Sequence, residues 1–265
     1  AEQPDEWVVV GAHYDMVTVE CGLVADGVPL PVPGAPECLL RNQSQGAYDD
    51  GSGTMMVLHM ARAFADVSTP YTIAFVAFDG EERGLQGSRA FYDAMLEGNH
   101  SFGAARVRAM LNLDMFGLNC PGVDAPTYFD TNSPELAAFL KSYAQQHTPA
   151  CASTIKYQGI TLGRSDYHWF YIDESGIPTA FFISDFEEWQ LPADLPYTVT
   201  PPPVSAPLRR SAYPFWHIQD TYETMELMAG SAADLEAGFQ VALDWATAVL
   251  TFMATHNEMT AQPPQ

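Results

Sequence analysis

Residues 71–82 read YTIAFVAFDGEE, an uncharged apolar run that ends directly in three acidic residues. The first eight residues are rich in β-branched and aromatic side chains, which predicts a strand buried on both faces. Residues 7–12 (WVVVGA), 107–113 (VRAMLNL) and 179–183 are predicted strands for the same reason. Because buried strands of this kind belong mainly to parallel sheets, the fold class is predicted to be α/β.

Helical patterns lie between and after these strands. They predict helices over 53–65, 85–96, 134–147 and 231–254. The sequence thus predicts a single domain, 1–265, with a mostly parallel twisted central sheet and helices on both faces. Two proline- and glycine-containing segments, 17–45 and 191–208, are predicted to be long surface loops, because proline is excluded from helix interiors and central strands.

The charge balance limits the classes of partner. Acidic residues outnumber basic ones by 33 to 11, for a net charge of −22. Such a chain repels phosphates, so neither nucleic acid nor an anionic membrane surface is an expected partner. The chain has no run of eighteen apolar residues, so no membrane insertion is expected. No feature of the sequence predicts an oligomeric state.

The four cysteines leave two alternatives open. Cys21 and Cys38 flank a loop that a disulfide could close, whereas in the other alternative all four cysteines, with Cys120 and Cys151, are free thiols. A disulfide would place the protein in an oxidising compartment. The expected location is therefore periplasmic or extracellular.

Metal-binding residue types follow three of the predicted strands. His13 follows the first strand, Glu81 and Glu82 follow the second, and Asp114 follows the third. The carboxyl ends of parallel strands meet at one edge of the sheet, where α/β proteins bind ligands. The turn 46–53 adds two further acids just before a predicted helix.

Carboxylates that converge without lysine or arginine repel one another strongly at low dielectric. Bound cations relieve this repulsion. Histidine and carboxylate ligands without cysteine suit zinc, with manganese and cobalt as possible substitutes.

Six motifs then occur in a fixed order along the chain. Together they resemble the co-catalytic two-zinc aminopeptidase family, which also includes glutamate carboxypeptidases and, more distantly, glutaminyl cyclases. The resemblance extends from about residue 8 into the C-terminal helix and implies a zinc-exopeptidase-like fold. The motifs are H-Y-D at 13–15, G-A-Y-D-D-G-S-G at 46–53, F-D-G-E-E-R-G-L-Q-G-S at 78–88, N-L-D-M at 112–115, G-R-S-D-Y at 163–167 and W-H-I-Q-D-T at 216–221.

The resemblance implies a ligand set for two zinc ions. His13 and Asp114 would bind one ion, and Glu82 and His217 would bind the other. Asp49 would bridge both. In such two-metal sites the ions lie about 3.5–4 Å apart.

Two further carboxylates receive catalytic roles from the same resemblance. Asp15 would orient the imidazole of His13. Glu81 would take a proton from the attacking water and pass it to the leaving amine. Asp50 competes with Asp49 for the bridging role, or else caps the following helix. Family members often have a cis peptide after the bridging acid.

The expected substrate contacts come from two later motifs. Arg164 is predicted to stabilise the substrate carbonyl or to bind a carboxylate, and Tyr167 is a further candidate. Trp216 precedes His217, where several aminopeptidases have tyrosine and the cyclases have tryptophan. That difference leaves the group that stabilises the carbonyl undecided.

The leading functional hypothesis is a zinc aminopeptidase that removes N-terminal residues from peptide substrates. The alternatives are a glutaminyl-peptide cyclotransferase with one zinc, and a carboxypeptidase or dipeptidase in which Arg164 binds a carboxylate. A non-enzymatic binding module is disfavoured, because the predicted ligands and Glu81 are all present. Relatives carry several dozen residues before the H-x-D strand. The sequence leaves open whether this chain is a fragment or a protein that dispenses with those elements.

Overall fold

A computed structural model describes most of the chain. The described residues are 1–16, 23–25, 28–30, 45–97, 105–118, 120, 126–160, 165–172, 176–184, 220–257 and 259–262. The strands are β1 Gln3–His13, β2 Leu23–Ala25, β3 Val28–Leu30, β4 Tyr71–Phe78, β5 Arg106–Leu113, β6 Thr127–Thr131, β7 Ile155–Gln158 and β8 Thr179–Ser184. The helices are α1 Gly51–Ala63, α2 Gln86–Leu96, α3 Pro134–His147, α4 His168–Tyr171, α5 Tyr222–Ala229 and α6 Ala232–Thr255, with a short 3-10 helix at Ala152–Thr154.

Six of the strands form one sheet in the order β4-β1-β5-β8-β6-β7. Every neighbouring pair is parallel except β6–β8, which is antiparallel. The prediction of an α/β fold with a mostly parallel sheet is therefore confirmed. The parallel strands β4, β1 and β5 are adjacent, so their carboxyl ends meet at one edge.

Side chains alternate between the two faces of this sheet. In β1, Val8 and Val10 pack into one core cluster with residues of α1, α3 and α6, whereas Val9 packs into a second cluster with residues of α2 and α4. Both faces of the sheet are thus covered by helices. Residues 8–12 of β1 are apolar because the strand is buried on both sides.

Helix α6 is the longest helix among the described residues. It is long and apolar enough to cross a membrane, since its most apolar stretch of 18 residues has a mean hydropathy of 1.3. Half of that stretch is buried within the fold. Trp245 and Val249 of α6 are fully buried against the sheet. The contacts of α6 are those of a core helix in an α/β protein.

The helices and strands predicted from long apolar patterns begin and end within two residues of the observed elements. The exception is β1, which begins four residues earlier than expected. The elements that were not predicted are β2, β3, β6, β7, α4, α5 and the short 3-10 helix. The segment 17–45, predicted as a loop, contains the short antiparallel pair β2–β3. An Asp-Gly dipeptide lies between these two strands in the sequence and is a hairpin signal that was overlooked. The rest of 17–44 and all of 191–208 lie outside the described residues.

One disulfide joins Cys120 to Cys151, with a Cα–Cα distance of 5.3 Å. The alternative of four free thiols is therefore wrong. The predicted partners Cys21 and Cys38 lie outside the described residues. The observed pairing links the loop after β5 to the segment that follows α3.

Candidate metal centre and active site

Three adjacent strands deliver the central residues of the site. His13 ends β1 and pairs in register with Phe78, the last residue of β4, so the turn that carries Glu81 and Glu82 begins beside it. On the other side of β1, strand β5 ends one residue before Asp114. The sheet topology thus brings an imidazole and three carboxylates to one edge, as the sequence predicts.

Two glycines let helices approach these strand ends. A Cβ atom on Gly53 of α1 would lie 2.5 Å from the carbonyl oxygen of Leu113, at the end of β5. A Cβ atom on Gly87 of α2 would lie 2.2 Å from the carbonyl oxygen of Asp79. Any larger residue at either position would push its helix away from the site.

One cluster of potential ligands consists of His13, Asp49 and Asp114. Their ligand atoms all lie within 4.8 Å of one another, and all three side chains are buried. His13 Nε2 is 2.8 Å from Asp49 Oδ1 and 3.7 Å from Asp114 Oδ1. This is the arrangement expected if Asp49 contacts the same ion as His13 and Asp114.

A second group of potential ligands consists of His13, Glu81 and Glu82. Their ligand atoms also all lie within 4.8 Å of one another. Both glutamates are half-buried in the turn after β4. The predicted ligand His217 lies outside the described residues, as do Arg164 and Trp216. The structure therefore brings together four of the five predicted metal ligands, along with Glu81.

Asp15 contacts both groups. The Nδ1 atom of His13 lies 3.0 Å from the main-chain oxygen of Asp15 and 3.5 Å from its carboxylate. The carboxylate also accepts hydrogen bonds from the N–H groups of Glu81, at 3.0 Å, and Glu82, at 3.3 Å. A proton on Nδ1 leaves the Nε2 lone pair directed at Asp49 and Asp114, which is the tautomer that a metal needs.

Asp50 is a buried hydrogen-bond acceptor at the centre of the site. Its carboxylate caps α1 by accepting the N–H of Gly53 at 2.9 Å. It also accepts the N–H of His13 at 3.2 Å and that of Met115 at 3.2 Å. Asp50 therefore ties together the backbone next to three of the predicted ligands, which favours its capping role over a bridging role.

The peptide bond between Asp49 and Asp50 is cis. The family resemblance implied a cis peptide at this position, and that expectation is confirmed.

Tyr167 does not lie where a substrate contact was predicted. Its side chain is fully buried and packs against Phe181 of β8. The next residue upstream, Asp166, is also fully buried, and burial raises its pKa to about 7. Asp166 is close enough to Glu81 for its charge to raise the pKa of Glu81.

The crowded carboxylates shift the protonation of their neighbours. Burial raises the pKa of Glu81 to about 9, and the negative charge of Asp114 adds to this effect. Burial lowers the pKa of His13, but the surrounding carboxylates, Asp114 first among them, outweigh burial and raise it overall. In the absence of a metal, His13 and Glu81 therefore hold protons that offset the negative charge of the cluster. A divalent cation would offset more of that charge.

The residues present fit a metal ion. The Oδ1 atom of Asp114 is buried and accepts no hydrogen bond from the part of the chain that the structure describes. Imidazole and carboxylate groups, without cysteine, form the donor set used by hydrolytic zinc centres and by related divalent metals. The site can therefore hold a metal that activates water beside a carboxylate, Glu81.

Comparisons with known proteins agree with this geometry. The profile of peptidase family M28 matches residues 1–234. Aminopeptidase YwaD of Bacillus subtilis is 33% identical over 143 residues, which cover 53% of this chain and 29% of that protein. Leucine aminopeptidase 1 of Fusarium vanettenii is 26% identical over 202 residues, which cover 72% of this chain and 45% of the relative.

Solved structures share the fold. A zinc aminopeptidase from Bacillus subtilis superposes with a TM-score of 0.58 at 24% identity, covering 99% of this chain and 49% of that one. A glutaminyl cyclase from an Acidobacteriales bacterium superposes with a TM-score of 0.57 at 19% identity, covering 95% of this chain and 70% of that one.

The matched region spans less than half the length of either aminopeptidase relative. The profile match, in contrast, covers most of this chain and includes all of the strands that carry the site. The chain belongs to peptidase family M28.

Proposed function

We propose that residues 1–265 form the catalytic domain of a zinc-dependent aminopeptidase that removes N-terminal residues from peptides. The observation that carries this proposal is the cluster of His13, Asp49 and Asp114 beside Glu81 at the carboxyl edge of the sheet. The names of the relatives, aminopeptidase YwaD and leucine aminopeptidase 1, support the same reaction. A probable zinc metalloprotease of Pyrenophora tritici-repentis, 33% identical over 117 residues that cover 44% of this chain and 22% of that protein, supports zinc as the metal.

In this proposal His13, Asp49 and Asp114 would hold one zinc ion, and Glu82 and His217 would hold a second one, with Asp49 as a ligand of both. When bound, zinc polarises the scissile carbonyl and lowers the pKa of the attacking water. Asp15 keeps the proton on Nδ1 of His13, so that Nε2 remains available. Arg164 and Trp216 are the proposed substrate contacts.

Glu81 is the proposed general base. It neighbours Glu82 in sequence, and its N–H is fixed by the carboxylate of Asp15 at 3.0 Å. Burial and the charge of Asp114 give Glu81 a high proton affinity. A cation beside it offsets that negative charge and lowers its pKa towards neutrality, where a group that accepts and returns a proton works best. Glu81 accepts a proton from the attacking water and donates it to the leaving amine.

The test uses two neighbouring glutamates that have different proposed roles. A panel of aminoacyl p-nitroanilides is incubated with zinc-loaded wild type, Glu81→Gln and Glu82→Gln, and bound zinc is counted by elemental analysis. We expect Glu81→Gln to retain its zinc and to lose activity by about 10²–10⁴-fold, the usual contribution of acid–base catalysis. Glu82→Gln should lose zinc together with activity.

The exposed residue Glu97, beyond the end of α2, provides the control substitution Glu97→Gln, which should change neither zinc content nor rate. Full activity in Glu81→Gln would show that Glu81 is not the general base, and the proposed mechanism would be wrong.

A cyclotransferase is the second candidate, favoured by the similarity in fold to glutaminyl cyclases and by the Trp216-His217 pair in the sequence. It would close an N-terminal glutamine into a lactam with one zinc and would release no p-nitroaniline from other residues. Loss of ammonia from a glutaminyl peptide, followed by mass spectrometry, separates the two reactions. A carboxypeptidase or dipeptidase would require a free substrate carboxylate, and blocked peptides test for this.

We also propose that the protein is exported to the periplasm or the extracellular space. The disulfide between Cys120 and Cys151 supports this location, because such bonds persist in oxidising compartments.

A further inference from the structure

Asp220 binds the turn that carries Asp49, although the two residues are far apart in the sequence. Its Oδ1 atom accepts the N–H of Tyr48 at 2.7 Å, and its Oδ2 atom accepts the N–H of Asp49 at 2.9 Å. The main-chain oxygen of Asp220 accepts a third hydrogen bond, from the N–H of Gln45 at 2.8 Å. Asp220 is 1% exposed, so these bonds form away from bulk water.

The other side of the same turn is held by different groups. The N–H of Gly51 donates to the main-chain oxygen of Gly46 at 2.8 Å. The hydroxyl of Ser52 donates to the main-chain oxygen of Tyr48 at 2.7 Å. Asp50 caps α1 directly after the turn. The amides of Tyr48 and Asp49 donate to Asp220. The position of the Asp49 backbone therefore depends on contacts from both sides.

We propose that Asp220 is a positioning residue for the metal centre, which fixes the backbone of Asp49 so that its carboxylate meets His13. The result of this placement is the 2.8 Å distance between Asp49 Oδ1 and His13 Nε2. Asp220 acts only through Asp49 and is not itself a ligand. The inference rests on the proposed function, because it assumes that Asp49 binds the metal.

A carboxylate suits this task better than an amide. Two consecutive N–H donors face two oxygen acceptors, and both oxygens of an ionised aspartate accept. In Asp220→Asn one oxygen is replaced by an NH₂ group, which places a donor against a donor while the shape of the side chain is kept. The substitution therefore removes the function of the side chain and leaves its volume.

Metal binding is the readout, and it does not depend on catalysis. Zinc affinity is measured by competition with a chromophoric chelator, and the cobalt-substituted protein is compared by its visible absorption spectrum. We expect Asp220→Asn to bind zinc at least tenfold more weakly than wild type and to give an altered cobalt spectrum, because Asp49 no longer has a fixed position.

Glu135 supplies the matched control. Its carboxylate also holds a distant part of the chain, accepting the hydroxyl of Thr260 at 2.8 Å and the N–H of Thr260 at 3.3 Å, but it lies at the start of α3 away from the site. Glu135→Gln should lower the melting temperature without changing zinc affinity. Equal zinc affinity in Asp220→Asn and wild type, or an equal loss in both variants, overturns the proposal.

A measurement on the unaltered protein covers the case in which Asp220→Asn does not fold. Hydrogen exchange is followed in the peptide that contains residues 46–53, after metal has been removed. If Asp220 holds the turn, the amides of Tyr48 and Asp49 stay protected without metal. Exchange at the rate of an open loop, with protection gained only on adding zinc, shows that the metal organises the turn and contradicts the proposal. An inactive protein with these metal-binding properties would count against the proposed function alone.

Discussion

Asp15 influences both halves of the candidate site through different atoms. Its carboxylate fixes the N–H groups of Glu81 and Glu82, and its main-chain oxygen faces Nδ1 of His13. The network lowers the pKa of Asp15: burial acts in the opposite direction, but the hydrogen bonds from His13 and from the Glu81 amide outweigh it. Asp15 is thus an ionised group that contacts a proposed metal ligand on each side, His13 and Glu82.

We predict that Asp15→Ala weakens zinc binding by about 10–100-fold, the usual effect of removing a group that orients metal ligands. Competition with a chelator measures this, and Asp79→Ala is the control. Asp79 is an exposed acid on the same turn, so its removal deletes a similar charge without the two amide contacts. Similar losses in the two variants would mean that charge, not orientation, determines affinity.

At the level of single residues, the sequence identified the groups that can bind metal and proposed Asp15 as a group that orients one of them, but it gave no sign of the contact from Asp220. His13, Glu82 and Asp114 stand at the ends of apolar runs, and this pattern is visible in one dimension. The contact between Asp220 and Asp49 spans 171 residues and leaves no local pattern. Tyr167 was predicted from a motif, yet its ring packs in the core.

At the level of elements, α1 connects the site to the sheet through its N-terminal cap. The Asp50 carboxylate accepts N–H groups from Gly53 in α1, from His13 in β1 and from Met115 after β5. One side chain therefore joins three elements. An ordinary cap, such as Ser231 at the start of α6, accepts the N–H of a single residue, Asp234, within the part of the chain that the structure describes.

We predict that Asp50→Ala lowers the free energy of unfolding of the metal-free protein by about 3 kcal/mol or more, because it removes a helix cap and leaves further buried N–H groups without an acceptor. Ser231→Ala should cost only about 1 kcal/mol. Guanidinium unfolding in the presence of a chelator compares the two variants. Equal costs would show that Asp50 acts as an ordinary helix cap.

The elements that escaped prediction share physical causes. Strand β6 has the sequence TYFDT, and its polar residues Thr127 and Asp130 are fully buried, which no alternation rule anticipates. Strand β7 has four residues and α4 a single turn, too short for a periodic pattern. The pairing of Cys120 with Cys151 depends on the fold, because connectivity cannot be read from cysteine positions alone. In contrast, β4 matched its prediction residue for residue, since its apolar run is long and uninterrupted.

At the level of the whole molecule, the site makes stability depend on pH. Burial raises the pKa of Glu81 from its usual 4.5 to about 9, and that of Asp166 from 3.8 to about 7. At a pH between the usual and the raised pKa of each group, the folded protein binds more protons than the unfolded chain does. His13 acts in the same direction above its usual 6.5, because its pKa is also raised overall: burial lowers it, but the carboxylates around it outweigh burial. Stability therefore falls as the pH rises through this window.

Metal binding has the opposite dependence, because ligands must lose their protons before they coordinate. We predict that the melting temperature of the metal-free protein falls between about pH 5.5 and pH 8.5, whereas the increase produced by zinc becomes larger over the same interval. Thermal unfolding followed by circular dichroism, with chelator or with zinc at each pH, measures both trends. Glu81→Gln removes one of the responsible groups without removing a proposed ligand, so it should make the metal-free curve flatter. A metal-free protein that becomes more stable towards pH 8.5 would mean that the carboxylates at this edge ionise without cost, and the electrostatic reason for a cation there would be lost.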